Sequence, residues 1–299
     1  MAKNTPKTNA TPRTPQVAFP FVIAVVGPTA VGKSDIAVAL ARTLGGEIIS
    51  ADSRQVYTGL DIGSGKITKK EMRGIRHHLL DVADPKHDRF SVADFVREAN
   101  SAIDDILSRG NVPIVCGGTG LYVDTLLRGL SLPDVPPNQK LRDKLSKKSA
   151  NELFNMLAKV DEDRAKTIDR HNPVRLIRAL EIAAARGKVP AITQTARFPF
   201  IIFGIDATDE KLRSNIERRL GARLRDGMIE EFASLRKRGV TWEKLESFGL
   251  EYTYCALYLQ KKILREDMRR DLAMAIWHYA KRQRTWWKRH KDIVWAVKQ

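Results

Sequence analysis

Residues 25–37 read VVGPTAVGKSDIA, a glycine-led loop set between an apolar run that begins at Phe19 and a segment of helical periodicity. Gly27, four further residues, then Gly32, Lys33 and Ser34 fit the phosphate-loop pattern G-x-x-x-x-G-K-[ST] without exception. The continuous apolar run at 21–26 predicts a buried parallel strand, and the loop after it predicts a helix N-terminus. Backbone N–H groups from Gly27, Pro28, Thr29, Ala30, Val31 and Gly32 onward (the proline excepted) can then wrap a diphosphate. Lys33 adds a point charge, and the Ser34 hydroxyl can hold Mg²⁺. The loop says that a phosphate-bearing molecule sits here, but not which one or what becomes of it.

The rest of the chain extends this beginning into an alternating α/β pattern. After the loop, Ile36, Leu40 and Leu44 recur on one helical face, and Gly45-Gly46 stops the helix. Residues 47–51 read as a second strand that delivers Asp52 at its C-terminal end. Ser91, with Asp94 three residues on, caps a helix carrying Val92, Phe95, Ala99, Ile103 and Ile106, which stops at Gly110. Residues 112–116 form a further apolar strand ending in Gly117-Gly118-Thr119-Gly120. Strand and helix in alternation predict an open parallel sheet that binds its ligands at the C-terminal strand edge. The pattern breaks at PDVPPNQKLRDKL and returns at FPFIIFGID, 198–206, so 125–199 reads as a helical insertion between core segments 19–124 and 200–299. The last hundred residues read as helical, with breaks at Gly239 and Gly249, and 1–18 read as a disordered tail rich in Thr, Pro and Lys.

Charge narrows the partners. The chain has 52 Lys and Arg against 35 Asp and Glu, a net charge of +17, which predicts a polyanionic partner held through counterion release. The surplus is densest from Lys261 onward, where KRQRTWWKRH either stacks Trp286 and Trp287 on bases or docks them into the core. The two cysteines form no framework or metal pattern and no apolar stretch is long enough to span a bilayer, so a cytoplasmic protein is expected.

The usual companions of a nucleotide-hydrolysing loop are missing. The strand at 112–116 ends in a glycine pair where a Walker-B strand carries Asp, and no N-K-x-D motif occurs. Asp52 reaches the same sheet edge as the loop, either as an outer-shell Mg²⁺ ligand or as a general base; spacing alone leaves both roles open. On the loop alone, a small-molecule phosphotransferase of the nucleotide-kinase type or a nucleic-acid-binding P-loop NTPase is the competing reading.

Eight segments occur in a telling order: GPTAVGKS (27–34), DSRQVY (52–57), DIGSGK (61–66), HHLLDV (77–82), GGTGLY (117–122), NPVRLIRALEI (172–182), FGLEY (248–252) and YAKRQRTW (279–286). Together they resemble the tRNA dimethylallyltransferase (tRNA isopentenyltransferase) family across roughly 20–295. One departure is DIGSGKIT, where relatives more often carry Thr-Ala-Lys-Pro after the glycine, which bears on the conformation of this loop and not on the activity.

The resemblance implies an α/β fold: a P-loop NTPase-like parallel sheet flanked by helices, with an inserted helical subdomain that contacts tRNA. It also implies that the loop holds the diphosphate of dimethylallyl diphosphate and hydrolyses no nucleotide. The prenyl group then passes to the exocyclic N6 of the adenosine immediately 3′ of the tRNA anticodon. Mg²⁺ is the expected cofactor and a monomer the expected state. Asp52 is the candidate base, with Thr119 orienting the donor or the base through its hydroxyl. Asp52, Ser53, Arg54, Gln55 and Thr119 are expected to meet the acceptor nucleotide. In the insertion, Asn172 caps a helix with Pro173 at its first position, and Leu176, Leu180 and Ala184 form its buried row. Val174, Arg175, Leu176, Ile177 and Arg178 match the tRNA-contacting segment of the family, and Arg142 corresponds to another tRNA contact. His77 and His78 are expected to be structural, while Arg219 either reaches the diphosphate or decorates a surface helix.

Overall fold

A computed structural model describes residues 20–298, so the tail expected at 1–18 lies outside the described residues. Among the described residues, six strands form one parallel sheet: β1 (Val22–Val26), β2 (Gly46–Ser50), β3 (His77–His78), β4 (Val112–Gly117), β5 (Phe200–Ala207) and β6 (Ile293–Lys298). Their spatial order is β3-β2-β4-β1-β5-β6. The chain thus leaves β1, builds outward through β2 and β3, and inserts β4 beside β1 only later. Register sets Val26 level with Gly117, and Ser50 level with Cys116, so three loops leave the sheet at one edge.

Helices α1 (Lys33–Leu44), α2 (Lys69–Met72), α3 (Val92–Ser108) and α4 (Gly120–Arg128) fall in the first part of the chain. After the insertion come α9 (Asp209–Arg225), α10 (Met228–Lys237), α11 (Trp242–Ser247), α12 (Leu250–Leu259) and α13 (Arg265–Lys288). Alternation along β1 sorts the two layers: Ile23 and Val25 face α1 and the C-terminal helices, while Val22, Ala24 and Val26 face α3 and α4. On α1 the buried residues are Ala37, Val38 and Ala41, whereas the expected stripe of Ile36, Leu40 and Leu44 lies at the margin, with Leu44 43% exposed. Small residues let α1 lie close against the sheet, which fixes its N-terminus tightly at the strand edge. Ser91 caps α3 in a full capping box with Asp94, and Gly45 ends α1 in the left-handed conformation at φ 66°.

Residues Arg128–Thr195 form a second compact unit; the described residues before and after it form the first. The second unit holds α5 (Gln139–Leu145), α6 (Ala150–Val160), α7 (Glu162–Thr167) and α8 (Pro173–Arg186) around Leu145, Leu153, Leu157, Leu176 and Leu180. Side chains of Asn138, Ser149, Asp161 and Asn172 cap the four helices, each accepting a backbone N–H three residues on.

Two readings of the sequence need correction. The last hundred residues are not all helical, because Ile293–Lys298 pairs with β5 as the edge strand β6. Its run IVWAV carries the β-branched and aromatic residues that signal a strand, but it follows directly on a long basic helix. In α8 the inward row is Leu176, Ala179, Leu180 and Ala183; Ala184 faces out.

Candidate active site

The loop between β1 and α1 has the backbone that its glycines predict. Gly27 stands at φ 142°, and a Cβ there would lie 2.1 Å from the Ile205 carbonyl oxygen. Ala30 and Gly32 also have positive φ, 63° and 84°, so the loop curls around its own amides before Lys33 opens α1. Lys33 Nζ donates to the Pro28 carbonyl at 2.6 Å. Burial pulls the Lys33 ammonium down to about 8, the neighbouring Arg219 adds to that fall, and the Asp52 carboxylate opposes it. Asn215, on α9, donates to the Ala30 carbonyl at 3.2 Å and ties the loop to that helix.

The loop opens onto a cavity of about 640 Å³. Thr29–Asp35 line one part of it, with Ser50, Asp52 and Gln55 after β2 and the Cys116–Gly118 turn after β4. Arg219 and Arg223 of α9 and Tyr279 and Gln283 of α13 also line it, as do Gly65 and Glu71. Burial lowers the Arg219 guanidinium to about 10 and raises the Tyr279 hydroxyl to about 12, so both groups keep their ordinary charge at neutral pH. Burial likewise pushes the Cys116 thiol up to about 11 and leaves it uncharged.

Asp52 sits two residues beyond β2 in an Asx turn: its Oδ1 accepts from the Arg54 N–H at 2.8 Å and the Gln55 N–H at 3.4 Å. Thr119 meets the same turn, its hydroxyl oxygen accepting from the Ser53 N–H at 3.3 Å. Thr119 N–H in turn donates to the Ala51 carbonyl at 3.4 Å. Two strand ends therefore hold Asp52 and Thr119 together at one edge of the sheet, although Thr119, Ser53 and Arg54 lie outside the cavity lining itself. The Gln55 amide is committed inside the cavity: Ser50 Oγ donates to its Oε1 at 3.1 Å, and its Nε2 donates to the Gly65 carbonyl at 3.2 Å.

The DIGSGK turn that follows is held from outside. Glu231 accepts three backbone N–H groups, from Asp61 at 2.9 Å, Ile62 at 2.7 Å and Gly63 at 3.0 Å. Lys66, with a side chain only 6% exposed, bonds the Tyr57 carbonyl at 2.9 Å and pairs with Asp61 and Asp81.

A brace from α13 joins the two glycine turns. Gln283 is buried; its Oε1 accepts the Thr29 N–H at 2.8 Å, and its Nε2 donates to the Gly118 carbonyl at 2.9 Å. A Cβ at Gly118 would stand 2.3 Å from that nitrogen, so the close approach requires glycine there. Neighbouring tryptophans anchor the same helix: Trp287 is fully buried, and Trp286 Nε1 donates to the buried carboxylate of Asp124 at 2.9 Å. Trp287 is thus docked into the core, while Trp286 is half-buried with the Arg289 guanidinium over its ring at 3.6 Å. Gln283, Arg223 and Glu231 are site-forming residues that pattern reading missed. Each acts across more than a hundred residues of sequence, and only the presence of Gln283 within YAKRQRTW marked its neighbourhood.

In the second unit the expected tRNA-contacting side chains divide sharply. Glu181, buried at 2% exposure, accepts from Arg142 Nε at 2.9 Å and Nη2 at 2.8 Å, from Arg178 Nη1 at 2.6 Å and from the Asn138 N–H at 2.6 Å. Burial alone would raise this carboxyl, but those hydrogen bonds outweigh it and hold it at about 2. Arg178 also donates to the Val135 carbonyl at 2.9 Å. Arg175 and Val174 are exposed, Val174 at 76%, and Ile177 is half-buried. Leu176 is fully buried, and its side chain packs in the helical core. His77 and His78 bond the Ile75 carbonyl at 2.9 Å and Glu47 at 2.7 Å, a structural use.

Ser34 and Asp52 line the same cavity, and among the described residues no group of three or more His, Cys, Asp or Glu could cage a metal. That sparse donor set fits Mg²⁺, which takes one or two protein oxygens and completes its shell with phosphate and water. It does not fit a metal that needs an all-protein site. Among the described residues no helix is long and apolar enough to cross a membrane.

Comparison with known proteins agrees with this geometry. A sequence model of the IPP transferase family matches residues 55–290. The chain is 44% identical to tRNA dimethylallyltransferase 2 of Treponema denticola, over 92% of this chain and 95% of that protein. The crystal structure of a tRNA isopentenylpyrophosphate transferase from Bacillus halodurans superposes with a TM-score of 0.70 at 35% identity, covering 92% of this chain and 89% of that one. A eukaryotic dimethylallyltransferase acting on tRNA gives a TM-score of 0.79 at 28% identity, covering 93% of this chain and 73% of that one. The P-loop-bearing parallel sheet and the near-complete match to these relatives show that the chain belongs to the tRNA dimethylallyltransferase family.

Proposed function

We propose that this chain, acting as a monomer, transfers the dimethylallyl group of dimethylallyl diphosphate to N6 of the adenosine immediately 3′ of the anticodon in tRNA. The products are N6-(dimethylallyl)adenosine and diphosphate. The observation that carries the reading is the cavity itself: a phosphate loop, a half-buried lysine and two half-buried arginines share one space with a carboxylate just beyond β2. A kinase or NTPase reading explains the loop, but not the family match.

In this reading, loop amides within Ala30–Ser34, with Lys33 and Arg219, bind the diphosphate. Mg²⁺ held by Ser34, with Asp52 near it, would supply further charge neutralisation on the leaving group. The allylic C–O bond breaks with its electron pair leaving on diphosphate, and the C–N bond to N6 forms. As it forms, the N6–H becomes acidic and the Asp52 carboxylate takes the proton. The Asx turn already occupies Oδ1 of Asp52, which leaves Oδ2 for this task. Thr119 fixes the turn through Ser53, while Ser53, Arg54 and Gln55 border the unstacked base. The insertion grips tRNA, with Arg175, Val174 and Ile177 at its surface and with Arg142 and Arg178 held ready on Glu181.

Labelled dimethylallyl diphosphate incubated with unmodified tRNA tests the reading. Label should enter tRNA, inorganic diphosphate should compete with the donor, and Lys33→Ala should lose most of the transfer. Robust tRNA-independent ATP hydrolysis with no transfer would overturn it.

A further inference from the structure

The cavity holds a third half-buried cation to which the proposed chemistry gives no task. Arg223 follows Arg219 by one turn of α9, and its side chain is 15% exposed. Its Nη1 donates to the Gly63 carbonyl at 3.3 Å and to Glu251 Oε1 at 3.2 Å. The rest of the guanidinium lies against Gly65, where a Cβ would stand 1.8 Å from Nη2 and 2.6 Å from Cζ. Gly65 is left-handed at φ 62°, and its N–H donates to the Ile62 carbonyl at 3.1 Å. The turn that carries it is clamped by Glu231 and Lys66, so a side chain at 65 would meet the guanidinium as well as strain the left-handed backbone.

Two guanidiniums one turn apart in a half-buried cavity repel each other, and the Arg223 charge depresses Arg219 further than burial does alone. Glu251 is the carboxylate within bonding distance of Arg223, and Lys33 shares the same space. Such clustering costs stability until an anion with more than one charge enters. The diphosphate of the prenyl donor is such an anion, and it gains a further negative charge as the C–O bond breaks.

We infer that Arg223 binds the diphosphate end of the prenyl donor beside Arg219, and that glycine at position 65 is what admits it there. The inference rests on the proposed function and deepens it: two guanidiniums select a diphosphate over a monophosphate.

Calorimetric titration with inorganic diphosphate and Mg²⁺ tests the inference whether or not transfer occurs. R223A should weaken diphosphate binding about tenfold to a hundredfold, the loss of one charge-assisted contact, while orthophosphate binding stays near the parent. R223K, which keeps the charge and the fold but not the fork, should lie between. G65A should weaken diphosphate binding in the same direction, and the G65A/R223A double variant should be no weaker than R223A, because both changes remove one contact. In transfer assays the same variants should raise the KM for donor and leave the KM for tRNA unchanged. Parent-like diphosphate affinity in R223A and R223K overturns the inference, as do additive losses in the double variant. A parent that binds diphosphate but transfers no prenyl group would instead overturn the proposed function.

Discussion

At the scale of single residues, the proposed chemistry rests on Asp52 and Lys33, which line one cavity. Asp52→Asn retains an oxygen that can accept from the Arg54 and Gln55 N–H groups, so the turn survives and only the base is lost. Transfer should therefore fall by about 10²–10⁴-fold with tRNA affinity unchanged, as measured by single-turnover rates beside equilibrium binding. Turnover within a few-fold of the parent would remove Asp52 from the role of base. Lys33 sets a pH dependence. Its pKa is lowered to about 8 in the folded chain from an ordinary 10.5, so the folded state binds fewer protons than the unfolded state between those values. The charged lysine therefore costs stability below pH 8, and that cost is relieved as pH rises toward 10.5. A bound diphosphate favours the ammonium. Binding should thus take up protons at pH 8–9, seen by calorimetry in buffers of different ionisation heat, and donor KM should climb above pH 8. A flat donor KM from pH 7 to 9.5 would contradict this. The sequence disclosed both residues because each belongs to a short local pattern. It marked Gly65 only as a departure from a familiar run, since the reason for the glycine lies on α9, some 160 residues away.

Among elements, α13 does the most to unite the site. Gln283 is its one buried polar side chain that touches both glycine turns, so Gln283→Ala leaves the Thr29 N–H and Gly118 C=O without their partner. Stability should drop by about 1–3 kcal/mol, and donor KM should rise several-fold with little change for tRNA. Thermal unfolding and initial rates read the two effects separately, and a loss of stability with parent-like donor KM would reduce the brace to mere packing. Elements with strong local signals were legible in advance: the capping box at Ser91, the apolar runs of β1 and β4, and the glycine stop after α1. Elements whose signals were weak or misplaced were not. β3 is two residues long, β6 hides behind a basic helix, and α1 buries Ala37, Val38 and Ala41 where larger residues were expected. Glu181 of α8 ties Arg178 and, from α5, Arg142 into one bonded cluster, which charge spacing along a single helix could not reveal.

For the molecule as a whole, the +17 charge and the division into two compact units bear on how a large polyanion is held. If Arg175 contacts a phosphate, Arg175→Ala should weaken tRNA binding and lower the slope of log affinity against log salt by roughly 0.7–0.9, without touching donor KM. An unchanged slope in a folded variant would assign Arg175 to a solvated face. The composition pointed to a polyanion and the ordered motifs to the family; what only the folded chain discloses is that Lys33, Arg219, Arg223 and Asp52 share one cavity. The central claim is that the phosphate loop serves a leaving diphosphate and not a nucleotide. The most direct test follows diphosphate release and tRNA mass together, with dimethylallyl diphosphate, Mg²⁺ and an unmodified tRNA. One diphosphate should appear for each tRNA that gains one dimethylallyl group, located by nuclease mapping at the adenosine 3′ of the anticodon, with added ATP left intact. Release of diphosphate without tRNA modification, or modification that requires ATP hydrolysis, would contradict the account.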